Sequence, residues 1–345
     1  NGRDPIEAAA SEALDKPLIA QFAGSDPDVV VQAAQHVQRE VAACDLNLGC
    51  PQKIAKRGNY GAFLLPQTDQ VIKVLSAMVE NLDVPVTAKI RKLGSDKDTL
   101  DLVRRIEACG VSMVTVHGRT VDSSKLYTGA ADWDIIKKIK DSVGIPVVAN
   151  GGIETYADAV RCLEYTGCDA VMSSEALLEN PKLFSPEGDA DFHNTYIRSQ
   201  LQTVREYLSL VDLHAPPRPY FQVVRSHLFR MLYRFMAGPV NRDLRALLAE
   251  GHHKEIAQVV EALEHRAAAL DYDMDKAMEE GFVNRTSWYR RHRGEGSEDR
   301  RTSNRRRYRA QHPAAWKGNQ PVDPKALRER MNNLKERLKQ KHIQV

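Results

Sequence analysis

The sequence predicts an α/β fold of parallel strands and returning helices, and three observations carry that prediction. Short apolar runs alternate with amphipathic stretches through the first half of the 345 residues. The runs are rich in Val and Ile and recur every ~25–40 residues, the pattern of buried parallel strands in βαβ units. Polar residues recur near the C-terminal end of run after run, where a (β/α)8 barrel of the TIM type gathers its active site.

In chain order the candidate strands are PLIAQFAG (17–24), ACDLNLG (43–49), VPVTAKIR (84–91), SMVTVHGR (112–119), IPVVANGG (145–152) and DAVMSSEA (169–176). Helical patterns lie between them at 26–41, 68–82, 98–110, 132–143 and 155–167, each starting at or near an Asp or Thr suited to N-capping. The polar strand ends are Gln21, Asn47 with Cys50, Lys89 with Arg91, His117 with Arg119, and Asn150. No strand opens into a GxGxxG turn, which leaves a dinucleotide-type Rossmann domain poorly supported. Six units are two short of an eightfold barrel, and with no initiator Met the expectation is that two units precede Asn1.

The pattern changes near residue 186. Segments 194–211, 220–236, 241–251 and 253–270 carry helical periodicity. The predicted organisation is a partial barrel over 1–185, a small all-helical domain over 186–276 and a basic flexible tail over 277–345. A last helix near 323–341 is expected from Asp323 as N-cap with Pro324 after it, and Leu327, Met331, Leu334 and Leu338 form its apolar stripe.

The formal net charge of +3 conceals an asymmetry. From Arg285 onward 18 Lys/Arg stand against 6 Asp/Glu, leaving 31 basic and 40 acidic residues ahead of them. A basic tail on an acidic body points to a polyanion, with nucleic acid the first candidate. The five cysteines are odd in number and irregular in spacing, without a CxxC pair or a zinc-type cluster, so a reducing intracellular compartment, cytoplasmic or nuclear, is expected and no metal. No stretch reaches the ~18 apolar residues of a membrane span.

Among residues able to do chemistry, Cys50 sits just past a strand, between Gly49 and Pro51. A lone cysteine is more often core filler, as Cys44, Cys109, Cys162 and Cys168 are read here. A thiol with a pKa near ~8.5 can equally donate a proton or attack once ionised. Lys89, Arg91 and His117 on adjacent strand ends suit an anion or an electron-rich ring. Asn150-Gly151-Gly152 and Ser173-Ser174-Glu175 follow what would be the seventh and eighth strands, whose loops often cradle phosphate.

Taken together, PLIAQFAGSDP, DLNLGCPQKIAKRGNYGAFL, PVTAKIR, VTVHGRT with the following GAADW, PVVANGGI and VMSSEALLENPKLF resemble the tRNA dihydrouridine synthases, in particular the eukaryotic 16/17 type. The resemblance implies an FMN-containing barrel and a helical tRNA-binding domain. It implies reduction of D-loop uridine, with hydride to C6 from a flavin regenerated by NADPH or NADH. By the same resemblance Cys50 protonates C5 and Asn47 lies beside the base. Gln21, Lys89 and His117 contact the flavin, while Asn150, Gly151, Gly152, Ser174 and Glu175 surround its phosphate. Arg91 falls near flavin and base. The sequence departs from the family in lacking a Pro-Met flavin motif and in carrying Ala176 where relatives tend to have glycine. The expected partner is tRNA, bound by a monomer without membrane attachment; the alternative is an inactive RNA-binding protein of the same descent. The loop over 52–64 is expected to be a glycine-hinged lid with Lys53, Lys56 and Arg57 facing RNA.

Overall fold

The computed structural model describes residues 16–122, 130–185, 195–214, 221–251, 253–284 and 288, with seven further helical positions between 325 and 336. Two compact units result, one built on Asn1–Gly152 with Arg161–Met172, the other on Ile153–Val160 with Ser173–Ser303.

The first unit is a parallel α/β sheet whose six strands lie side by side in chain order. β1 (Ile19–Phe22) leads to α1 (Pro27–Gln35), and β2 (Ala43–Leu48) to the short α2 (Lys53–Arg57) and then α3 (Thr68–Asn81). β3 (Val86–Arg91) precedes α4 (Asp96–Ala108), β4 (Met113–His117) precedes α5 (Trp133–Lys140), and β5 (Val147–Asn150) precedes α6 (Tyr156–Thr166), which belongs to this unit from Arg161 onward, and β6 (Ala170–Met172). All six expected strands and their helices are present. The sequential parallel order is that of a barrel wall, and among the described residues β1 and β6 are the edge strands.

The helix starts follow local chemistry. Asp26 accepts from the N–H groups of Asp28 and Val29 with Pro27 opening the helix, Ser95 accepts from Asp98, and Asp132 accepts from Asp134 and Ile135. Each cap satisfies amide donors that the first helical turn leaves without partners.

Strand periodicity gives the sheet two unlike faces. On one, Leu46, Leu48, Ala88, Ile90, Val114, Val116 and Ala149 are fully buried. The helices meet this layer with their own apolar stripes, such as Val71, Val74, Leu75 and Met78 on α3. Burying each large aliphatic side chain is worth about 1.5–3 kcal/mol, so this layer is the unit's main source of stability. On the other face the register sets Gln21 beside Asp45, Asp45 beside Thr87, Asn47 beside Lys89, Arg91 beside His117, and His117 beside Asn150.

The segment behind Cys50, expected as a hinged loop, is instead folded into α2 and a 3-10 turn at Gly61–Phe63. Ala55, Ala62, Leu64 and Leu65 give it a buried underside, and the Ala62 N–H donates to the Cys50 carbonyl at 3.1 Å. Gly61 has φ +63°, and a Cβ there would lie 2.9 Å from the Cys50 carbonyl oxygen, so only glycine fits this close approach. The expected helix 26–41 also stops early, at Gln35, and gives way to a 3-10 turn at Gln38–Glu40.

The second unit is helical among the described residues: α7 (Glu175–Glu179), α8 (Tyr196–Leu213), α9 (Phe221–Met231), α10 (Tyr233–Met236), α11 (Arg242–Glu250), α12 (His253–Ala269) and α13 (Met274–Glu279). Leu201, Val204, Leu228, Phe235, Leu248, Val259, Leu263 and Phe282 form its core. Its buried amides meet backbone carbonyls: Gln200 donates to Glu179 and Met231, both at 2.7 Å, and Asn241 to Phe235 and Phe282. The expected helix 220–236 divides at Leu232. No helix among the described residues is long and apolar enough to cross a membrane. The apolar stripe Leu327, Met331, Leu334 and Leu338 and almost all of 285–324 lie outside the described residues.

Candidate active site

Burying polar side chains on a sheet face is costly unless each finds a partner, and here they bond to one another. Thr87 Oγ1 donates to Asp45 Oδ1 at 2.7 Å. Gln21 Nε2 donates to Asp45 Oδ2 at 2.8 Å, and Asn47 Nδ2 donates to Gln21 Oε1 at 2.8 Å. Asn47 Oδ1 in turn accepts from the N–H groups of Gly49 and Cys50, each at 3.0 Å. That last pair is an asparagine-closed turn, and it fixes where the chain leaves β2 and where the half-buried Cys50 stands. Burial pushes the Asp45 carboxyl up, against the hydrogen bonds from Thr87 and Gln21 and the charge of Lys89.

The basic side chains occupy the next rows. Lys89 Nζ donates to Asn150 Oδ1 at 2.9 Å, and Asn150 Nδ2 donates to the Met172 carbonyl at 2.9 Å, which ties β3, β5 and β6 together. Burial, helped by the Arg91 charge and opposed by Asp45, pulls the Lys89 ammonium down to about 8. Arg91, 8% exposed, donates from Nε to the Gly49 carbonyl at 2.8 Å and from Nη1 to the Thr120 carbonyl at 2.9 Å, so it holds the Cys50 turn from below. Burial and then Arg119 lower Arg91 to about 10, while the Cys50 side chain acts the other way. Arg119 Nη1 lies 3.0 Å from His117 Nε2. Because a guanidinium only donates, Nε2 is the acceptor in this contact, which leaves a ring proton to Nδ1.

Beyond Asn150 the chain turns through Gly151 at φ +100° and Gly152 at φ +81°. A Cβ on Gly151 would stand 2.8 Å from His117 Cδ2, and Trp133 Nε1 donates to the Gly151 carbonyl at 3.0 Å. Gln21, Asn47, Cys50, Lys89, Arg91, His117, Asn150, Gly151 and Gly152 all belong to the first unit. Ser174 and Glu175 belong to the second, at the start of α7, where the Ser174 side chain makes no capping bond. Asp45, Thr87 and Trp133 escaped the sequence reading. The period-two polar runs Asp45-x-Asn47, Thr87-x-Lys89-x-Arg91 and Thr115-x-His117 are the signal that marks this face. A cavity of about 430 Å³ lined by Pro66, Leu93, Leu102 and Arg105 includes none of these residues. Among the described residues no cluster could hold a metal, and Cys44, Cys162 and Cys168 are buried cysteines outside any disulfide.

The dihydrouridine synthase (Dus) family profile matches residues 3–271. A mouse "tRNA-dihydrouridine(16/17) synthase [NAD(P)(+)]-like" protein is 41% identical over 253 residues, 73% of this chain and 50% of that protein. The "tRNA-dihydrouridine(16/17) synthase [NAD(P)(+)]" of Saccharomyces cerevisiae is 37% identical over 238 residues, 68% and 56% of the two chains. "tRNA-dihydrouridine synthase B" of Pasteurella multocida is 41% identical over 168 residues, 48% and 50% of the two chains. The chain spans about half the length of the curated relatives it matches.

Proposed function

The chain belongs to the dihydrouridine synthase family, and from that premise we propose that it reduces uridine to 5,6-dihydrouridine in the D-loop of tRNA, with Cys50 as proton donor. The observation that carries this reading is Cys50 on a turn closed by Asn47 and braced by Arg91, at the end of a sheet face lined with donors. The 16/17 position is read from the names of the mouse and yeast relatives.

The residues fit FMN. Lys89 spends one N–H on Asn150 and is held down near 8, an ammonium short of electron-rich partners. Gln21, Lys89 and His117 would hold the ring system, with Asn150, Gly151 and Gly152 serving its phosphate. When bound, FMN supplies hydride for C6 of the uracil and is restored by NADPH or NADH.

The remaining chemistry belongs to this chain. Hydride addition at C6 leaves an enolate that needs a proton at C5, and the Cys50 thiol gives up its S–H proton there. Solvent then returns a proton to the resulting thiolate. Asn47 uses one Nδ2 hydrogen on Gln21, and its second can donate to a carbonyl of the base. The uracil must leave its stack to reach this face, which costs a few kcal/mol and least in a loop. Lys53, Lys56 and Arg57 on α2 are exposed and form no ion pair among the described residues, which suits the phosphates beside that loop. The basic tail adds to the same attraction. The free thiols are at home in a reducing compartment, cytoplasmic or nuclear.

The test is incubation with unmodified tRNA, FMN and NADPH, followed by mass mapping of the D-loop. The expected result is a gain of two hydrogens on one D-loop uridine. Salt-sensitive tRNA binding with no flavin uptake and no such gain would replace an enzyme by an RNA-binding relative.

A further inference from the structure

Asp45 has so far been given no chemical role, yet it is 7% exposed and bonded at both oxygens. Its neighbour Gln21 presents a nitrogen to Asp45 and an oxygen to Asn47. Primary amides can be reversed end for end, so the direction of this chain needs an origin. At one end stands the Asp45 oxygen, which accepts. At the other stand the backbone N–H groups of Gly49 and Cys50, which only donate. A single direction satisfies both ends: Gln21 turns its nitrogen to Asp45, and Asn47 turns its oxygen to the turn. Reversal would set the Asn47 nitrogen against two N–H donors and open the turn that carries Cys50.

We propose that Asp45 is a positioning residue that, through Gln21 and Asn47, fixes the direction of this hydrogen-bond chain and thereby the place of Cys50. The effect on turnover rests on the reading of Cys50 as proton donor; the effect on the thiol itself does not. What matters in Asp45 is an acceptor facing Gln21 rather than a negative charge. In Asp45→Asn the new amide keeps its oxygen towards Gln21, because its nitrogen can donate to Thr87 Oγ1. In Thr87→Val the carboxylate still accepts from Gln21. Only the pair of changes removes both the carboxylate and the Thr87 hydroxyl that would hold an amide oxygen at position 45 towards Gln21.

The experiment compares Asp45→Asn, Thr87→Val and the double variant, with Asp45→Ala as a second route to the same loss of acceptor. All are checked for native circular dichroism. The readouts are iodoacetamide labelling of Cys50, followed by peptide mass spectrometry, and kcat and KM for tRNA. The single near-isosteric changes are expected to stay within about twofold of wild type in both. The double variant and Asp45→Ala are expected to label Cys50 about fivefold faster and to lose about tenfold in kcat at unchanged KM. A folded double variant or Asp45→Ala that labels like wild type would overturn the proposal. So would an Asp45→Asn variant as damaged as the double, since charge would then be the operative property. Absence of wild-type turnover on tRNA would count against the proposed function alone, because the labelling comparison still decides the role of Asp45.

Discussion

Replacing Lys89 by Met is expected to make the flavin-free protein more stable at neutral pH. The ammonium falls from 10.5 to about 8 on folding, chiefly through burial and then through Arg91, with Asp45 opposing. A drop of that size is worth about 3 kcal/mol against the charged form. Removing the amine also strips Asn150 Oδ1 of its donor, which costs roughly 1–2 kcal/mol. The net expectation is a gain of about 1–2 kcal/mol near pH 7. The sign reverses with pH. Below about 8 both folded and unfolded wild type carry the proton, and the penalty is complete. Between about 8 and 10.5 the unfolded chain keeps a proton that the folded chain has lost, so wild type gains on the variant as pH rises. Near the upper limit the penalty is gone and the variant is the less stable by its lost hydrogen bond. Urea unfolding of both proteins near pH 7 and near pH 10.5 reads the difference directly. A variant less stable than wild type by the same amount at both values would refute the claim that this face holds a penalised cation.

Three further outcomes follow from the same structure. Gly151→Ala is expected to cost about 1–3 kcal/mol in thermal or urea unfolding, because φ is +100° and the new methyl would press on His117; flavin uptake should fall with it. Ile90→Ala, in the fully buried layer under the helices, should cost about 2–5 kcal/mol without altering the polar face, measured by urea unfolding. Deleting 285–345 should weaken tRNA binding and flatten the dependence of log K on log salt while leaving flavin uptake intact, since that segment carries 18 basic residues against 6 acidic ones.

The strands and helices were legible because their signals are local. Asp26 and Asp132 cap where the pattern says helices begin, and the apolar stripe of α3 repeats at helical spacing. Cys50, Asn47, Lys89 and His117 were legible as polar residues at strand ends. What a Val/Ile-rich reading obscured is the alternation along those strands, which leaves Asp45 and Thr87 on the polar face in hydrogen-bond contact. Their pairing depends on the β2–β3 register, which no single segment encodes. The folded turns behind Cys50 were hidden for a related reason. Glycines Gly58 and Gly61 read as hinges, whereas Gly61 is required by its contact with Cys50 and Ala62, Leu64 and Leu65 anchor the segment. The direction of the Gln21–Asn47 chain could not be read at all, because an amide in a sequence has no orientation.

The proposed role of Cys50 as proton donor is tested most directly by single turnover of the reduced Cys50→Ala variant on unmodified tRNA. This variant is expected to take up FMN and to be reduced by NADPH like wild type, yet to form dihydrouridine about a hundredfold more slowly or worse. Dihydrouridine formation at the wild-type rate by the flavin-loaded variant would contradict it.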